Sequence, residues 1–155
     1  MPNLNDFAIG PVQGLMDLQV PGNVIEVQVD SAVVTPIIPG QALKQSPTTG
    51  AGLPKMIPIT ANTDKIAGFA CFNPIFPIST GWTAGKILEM AMDNSVMHMT
   101  AGAAINPGAT VEYRLSDNTV ITSAGTNTKI GHVVGQKGAT AAGDIIRVRI
   151  VSPVV

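Results

Sequence analysis

The feature that most constrains this sequence is an internal repeat. The segment PGNVIEVQVD at 21–30 has a second version, AGKILEMAMD, at 84–93, and a third, AGDIIRVRI, at 142–150. A repeat of this kind indicates a duplicated structural unit, because each version carries the same pattern of residues to bury. The sequence therefore predicts two related β units closed by a final strand.

Two shorter segments recur in the same order and support the duplication. The step Pro39-Gly40 returns as Pro107-Gly108, and NTDKIAG at 62–68 returns as NTKIG at 127–131. Proline followed by glycine is typical of a tight turn that leads into the next strand. These recurrences divide the chain into an N-terminal arm at 1–20 and a single β domain at 21–155. The domain has halves at about 21–83 and 84–142 and a closing strand at 143–152.

Alternating and β-branched residues predict strands along most of the domain. Residues 82–92 contain good helix formers, but their alignment with the other versions of the repeat predicts a strand there as well. Asp93-Asn94 predicts a hairpin turn because asparagine tolerates positive φ; Asp30-Ser31 and Ser116-Asp117-Asn118 predict turns of the same kind. The expected strands lie near 24–29, 33–35, 41–45, 55–60, 65–72, 87–92, 96–100, 110–115, 119–122, 129–134 and 144–151.

Short strands with frequent turn signals and almost no helix are typical of an all-β fold. The predicted fold is a jelly-roll-like sandwich or barrel built from the internal duplication, with an extended N-terminal arm. Two repeated units that close on each other fit a double Greek key. Another sandwich or a small barrel would fit the same pattern.

The sequence has few charged residues, and this bears on whether the chain works alone or in an assembly. Charged residues make up 12 % of the sequence, about half of the ~25 % usual in globular proteins. A surface with so few charges is expected to be covered in part by other chains, which favours a homo-oligomer or a member of an assembly. The net charge of −1 comes without a basic run, which excludes a nucleic-acid footprint.

Targeting and redox signals are also sparse. Cys71 is the only cysteine, so no internal disulfide can form and synthesis in a reducing cytosol is expected. No stretch approaches the ~20 apolar residues of a membrane span, and the N-terminus lacks the features of a signal peptide. We expect no membrane partner.

The sequence offers few residues that could catalyse a reaction or bind a metal ion. His98 and His132 have no partner at ligand spacing, and Cys71 lies in an apolar strand context that predicts an inert buried thiol. Glu26 and Glu89 occupy equivalent repeat positions, which favours a role in the fold over acid–base catalysis. No nucleophile, base and orienting residue occur together. The chain is therefore expected not to be an enzyme and to hold no cofactor or metal.

Several residues are candidates for assembly contacts. The apolar residues of the arm either wrap their own domain or reach onto a neighbour. The methionines of 90–99 fill a core or an interface, or they form a soft Cu(I) site. The arginines of the last strand are a solvated or edge-protecting face, or they pair with an acidic partner. The candidates are Leu4, Phe7, Ile9, Leu15, Met16, Met97, Met99, Arg147 and Arg149.

Three runs carry a resemblance to a known family. PGNVIEVQVDSAVVTPIIPGQAL at 21–43, KIAGFA at 65–70 and IGHVVGQKGATAAGDIIRVRI at 130–150 resemble the structural cement, or capsid decoration, proteins of tailed bacteriophages. That family shares a strand followed by a Pro-Gly step, an Ile-Gly-hydrophobic strand, and a Gly-Asp/Asn-hydrophobic strand near the C-terminus. The resemblance covers about residues 20–152, without the methionine-rich segment or the arm.

The resemblance implies a β domain on the outer surface of a phage capsid. There it would act as a dimer or trimer that clamps neighbouring major capsid subunits, after synthesis in the host bacterial cytoplasm. The alternative function is a fibre-like or carbohydrate- or receptor-binding β-sandwich module. Sugar platforms usually need exposed aromatic residues, and Trp82, Tyr113 and four phenylalanines are the whole supply.

Overall fold

A computed structural model describes residues 13–17, 22–48, 50–73 and 81–151, and this part of the chain contains ten strands and no helix. The all-β prediction is confirmed. The strands are β1 (Val24–Val29), β2 (Ala42–Gln45), β3 (Lys55–Pro58), β4 (Gly68–Ala70), β5 (Ile87–Ala91), β6 (Val96–Thr100), β7 (Thr110–Arg114), β8 (Thr119–Thr122), β9 (Lys129–Val133) and β10 (Ile145–Ile150).

The first five strands form a closed barrel in the order β1-β3-β2-β4-β5. β1 runs parallel to β3 and antiparallel to β5, and this pair of contacts closes the barrel. Closure leaves no edge strand in this unit. The interior is filled by apolar side chains at alternate strand positions, as the pleat requires: Val27, Val29, Leu43, Met56, Leu88 and Met90, with Ile37, Ala70 and Trp82.

The other five strands form a sheet in the order β6-β10-β9-β7-β8. A single parallel bridge between Ala101, just after β6, and Val120 of β8 brings the two ends of this sheet together. The Gly102 N–H donates to the Val120 carbonyl at 2.8 Å. The second unit is thus bent almost into a barrel like the first.

The two units share one topology. The ring β1-β3-β2-β4-β5 corresponds step by step to β6-β8-β7-β9-β10, including the parallel contact of β1 with β3 and of β6 with β8. This grouping differs from the predicted halves at 21–83 and 84–142. It places β5 in the first unit, because β5 pairs with β1 and β4, and it makes β10 the counterpart of β5.

The recurring Pro-Gly steps are equivalent turns. Gly40 and Gly108 have φ of 78° and 75°, and the residue after each donates to the carbonyl three residues earlier at 3.2 Å. Proline followed by glycine at positive φ is the signature of a type II turn. These turns start β2 and β7, the corresponding strands of the two units.

The two units share a core, which makes them one domain. Phe69 of β4 meets Tyr113 of β7 edge to face, with ring centroids 5.7 Å apart, an attractive geometry. The Tyr113 hydroxyl donates to Asn118 at 2.7 Å and accepts from the Ala42 N–H at 3.3 Å. Ala42, Phe69 and Cys71 belong to the same buried cluster as the interior of the second unit.

Two local predictions were wrong. Asp93-Asn94 does form a turn, with Asn94 at φ 65°, but β5 and β6 do not pair as a hairpin. β5 pairs inside the barrel and β6 pairs with β10. The turn therefore links the two units. Residues 33–35 form no strand, and Val34 is 94 % exposed. The hairpin of β7 and β8 is confirmed, with Asn118 at φ 55°.

Candidate assembly surface

The described part of the arm, 13–17, lies antiparallel along β6 of its own chain. Gly14 N–H donates to the His98 carbonyl at 2.7 Å, Asp17 N–H donates to the Val96 carbonyl at 2.9 Å, and His98 N–H donates to the Leu15 carbonyl at 2.8 Å. β6 stands at the end of its sheet, where unpaired backbone groups would otherwise face solvent. This segment therefore acts as an added strand that covers an edge.

Of the arm residues predicted as assembly contacts, Leu15 and Met16 lie in this added strand and are half-buried. Met16 forms a bridge with Met97 and packs against the shared core. For these two residues the structure shows contact with their own domain. Leu4, Phe7 and Ile9 lie outside the described residues.

An ion pair fixes the end of the added strand. Asp17, 9 % exposed, pairs with Arg147 of β10, whose side chain is 37 % exposed. β10 lies between β6 and β9, so the idea that its arginines protect an edge strand was wrong. Arg147 serves to hold a carboxylate of the arm against the outer face of the sheet.

Asp17→Asn should lower the free energy of unfolding by about 1 kcal/mol, because a partly buried, charge-assisted contact is lost. Urea denaturation of the single variants and of Asp17→Asn with Arg147→Gln would give the coupling energy of the pair. Strictly additive effects would show that the two side chains do not stabilise the fold through each other.

The two methionines predicted as assembly contacts lie in the core. Met97 is 0 % and Met99 1 % exposed. They alternate inward along β6, and His98 between them points outward beside Arg147 of β10. Of the alternatives predicted from the sequence, Met97 and Met99 therefore fill the core of their own domain.

A groove lined in part by a lysine and a histidine lies on the second unit. It has a volume of about 680 Å³, and its lining includes Lys129, His132 and Val151. Arg149 of β10 is directly opposite His132 of β9, and among the described residues no ion pair engages Arg149 or Lys129. Lys129, His132, Arg149 and Val151 together are called the cationic face below.

Glu112 holds in place a loop that lines this groove. Its side chain is 0 % exposed, and its carboxylate accepts from the Ser123 hydroxyl at 2.7 Å and from the Gly125 and Asn127 N–H groups. Burial alone would raise the pKa of Glu112, but these hydrogen bonds outweigh it and hold the pKa at about 2,. The carboxylate thus fixes the loop that brings Gly125 and Asn127 to the groove.

An acidic surface lies on the outer side of β1 and β5. Glu26 and Glu89 are register partners and both are exposed, so their side chains start only about 5 Å apart. Ile87 is 53 % and Val24 39 % exposed, and both lie on the same side of the strand pair. Val24, Glu26, Ile87 and Glu89 are called the acidic face below. The sequence showed that Glu26 and Glu89 are repeat equivalents, but not that they sit opposite each other.

The corresponding strand pair of the second unit carries basic residue types in place of the two carboxylates. Where Glu26 faces Glu89 in the first unit, His98 faces Arg147 in the second. The neighbouring pairs correspond as well: Gln28 with Ile87 matches Thr100 with Ile145. Duplication has therefore kept the strand register and changed the sign of the charge at one position.

The single cysteine and the potential metal ligands form no reactive site among the described residues. Burial raises the pKa of the Cys71 thiol to about 12, so it stays protonated and unreactive at neutral pH. Among the described residues, no three His, Cys, Asp or Glu side chains come together in a way that could hold a metal ion. The described chain also forms no helix with the length and apolarity needed to cross a bilayer.

Comparison with known proteins finds a similarity in structure and none in sequence. No protein-family model matches the chain, and no curated protein matches it. Among solved structures, the chain is similar to the N base of the head fiber protein gp8.5 of bacteriophage phi29, at a TM-score of 0.48 and 15 % sequence identity. The match covers 84 % of this chain and 94 % of that one.

Proposed function

We propose that this chain is a virion structural protein that binds the outer surface of a bacteriophage capsid and stabilises it by clamping neighbouring major capsid subunits. The observation that carries the proposal is the pair of topologically equivalent β units in one chain. Because the units share a core, they stay at a fixed spacing. Two related surfaces at a fixed spacing suit a partner that is itself repeated, and each additional contact is then intramolecular.

The surface composition supports the same role. Val34 is 94 % exposed and Ile87 53 % exposed, in a chain with only 12 % charged residues. Exposed apolar side chains on a weakly charged surface are typical of sites that other proteins cover. The partner we propose is the major capsid protein, with this chain present as a homo-dimer or homo-trimer on the capsid surface after synthesis in the host cytoplasm.

The alternative is a fibre-like or carbohydrate- or receptor-binding module, and the aromatic residues argue against its sugar-binding form. Trp82 is 6 % and Tyr113 1 % exposed, and Phe69 and Phe72 are buried. None of the aromatic rings in the described part of the chain is thus available as an exposed sugar platform.

The test is co-sedimentation of the purified protein with capsids from its own source that lack it. We expect saturable binding at a fixed ratio to the major capsid protein, and particles that melt at a higher temperature once loaded. Capsids that already carry the protein are the matched control and should take up none. Absence of saturable binding, or equal melting of bare and loaded particles, would contradict the proposal.

A further inference from the structure

The acidic face and the cationic face both lie on the outside of the described part of the chain. Among the described residues no ion pair engages Glu26, Glu89, Lys129 or Arg149. Carboxylates directly opposite each other on neighbouring strands repel and lower stability. Such a pair is neutralised when a partner brings cations to it, and complementary charge then gives the contact its specificity and its rate.

We propose that the partner is a second copy of this chain, whose cationic face docks on the acidic face of the first. The charges match: two carboxylates meet Lys129 and Arg149, with the imidazole of His132 between them in the sheet. Apolar groups match as well. Ile87 and Val24 are 53 % and 39 % exposed beside the carboxylates, and Val151 is 48 % exposed beside the cations.

The chain already contains a small version of this contact. Asp17 of the arm lies against Arg147 on the outer side of β10, next to Met16, which packs on the core. A carboxylate is therefore a group that the outer face of this sheet accepts. Arg149 stands two residues further along the same strand and on the same side,.

The geometry of the association follows from where the faces lie. The acidic face belongs to the first unit and the cationic face to the second, so a contact between copies joins different surfaces. Two copies that exchange both contacts around a two-fold axis close as a dimer. Otherwise the contact is heterologous, and it continues from copy to copy until it closes into a ring, such as a trimer, or extends as a filament. Each copy in such an assembly then makes contacts through both its acidic face and its cationic face.

Charge reversal tests the contact on purified protein without capsids, so the result is independent of the proposed function. Glu26→Lys with Glu89→Lys makes both faces basic, and Lys129→Glu with Arg149→Glu makes both acidic. We expect each double variant to sediment as a monomer under low-salt conditions in which the unmodified protein associates. Mixing the two should restore the association, because each contact again joins opposite charges. Added salt should weaken association of the unmodified protein.

The control is Lys65→Glu with Lys137→Glu, which changes the net charge as much as the acidic variant but at exposed lysines outside both faces. It should associate like the unmodified protein. Thermal denaturation verifies that each variant is folded; Glu26→Gln with Glu89→Gln is the milder variant if the lysines impair folding. An unmodified protein that stays monomeric at all concentrations would overturn the proposal. So would charge-reversed variants that associate normally, or a mixture of the two that stays monomeric.

Discussion

Replacing Gly131 with alanine should lower the free energy of unfolding by about 3 kcal/mol or more. A Cβ atom at this position in β9 would overlap the backbone carbonyl oxygen of Arg149 in the neighbouring strand β10. A backbone group cannot turn away as a flexible side chain can, so β9 and β10 would have to separate. This pair carries His132 and Arg149, and the cationic face would be lost with it.

The same argument applies at the corresponding glycine of the first unit. A Cβ on Gly68 would overlap the Ala91 carbonyl of β5, so Gly68→Ala should also be strongly destabilising. Gly50→Ala is the matched control, because its Cβ meets nothing within 4 Å and its effect should stay within about 0.5 kcal/mol. Urea denaturation of the three variants measures the differences. If Gly131→Ala behaved like Gly50→Ala, the close approach of β9 and β10 would be refuted.

Glu112→Gln should lower the free energy of unfolding by about 3 kcal/mol at pH 7, because a buried carboxylate loses charge-assisted hydrogen bonds from Ser123, Gly125 and Asn127,. An amide keeps one oxygen acceptor but turns an NH₂ group toward donors. The loop at 123–127 should loosen, and hydrogen exchange at the Gly125 and Asn127 amides should accelerate. Glu89→Gln, at an exposed position opposite Glu26, is the control and should not lower the free energy of unfolding.

The effect of Glu112 should depend on pH in a defined direction. The pKa of its carboxyl is about 2 in the folded protein, below the ordinary 4.5. Its contribution to stability is therefore fully present above about pH 5 and is lost as the pH falls toward 2. The difference in unfolding free energy between the unmodified protein and Glu112→Gln should shrink across this window. A difference that stays constant from pH 7 to 2 would show that the ionised form is not what the fold stabilises.

Sequence patterns were most informative where structure is set within a few residues. Proline and glycine at 39–40 and 107–108 determine their turns because each residue fixes or permits a particular φ. The hairpin at 116–118 follows in the same way from Asn118. The recurrence of glycine at 68 and 131 also reflects a shared need, since in both units a neighbouring strand's carbonyl occupies the space of a side chain.

The acidic and cationic faces could not be located from patterns within a few residues. Alternation along a strand predicts that Arg147 and Arg149 lie on one side of β10, and the structure agrees because alternation is a local property,. Their different uses were not visible in the sequence. Arg147 holds Asp17 of the arm, while Arg149 lies beside His132, and both neighbours are remote in the chain. Glu112 was missed for the same reason, since its partners Ser123, Gly125 and Asn127 lie in the loop between β8 and β9.

The sequence by itself determined that the chain is duplicated, all-β and turn-rich, because alternation, proline and glycine act over a few residues. Only the tertiary structure decided which strands pair. Asp93-Asn94 has the local chemistry of a hairpin, yet β5 closes a barrel with β1, more than fifty residues away, and β6 joins β10, more than forty residues away. Pairing is chosen by how much apolar surface the whole chain can bury. That choice set Glu26 against Glu89 in one unit and His98 against Arg147 in the other.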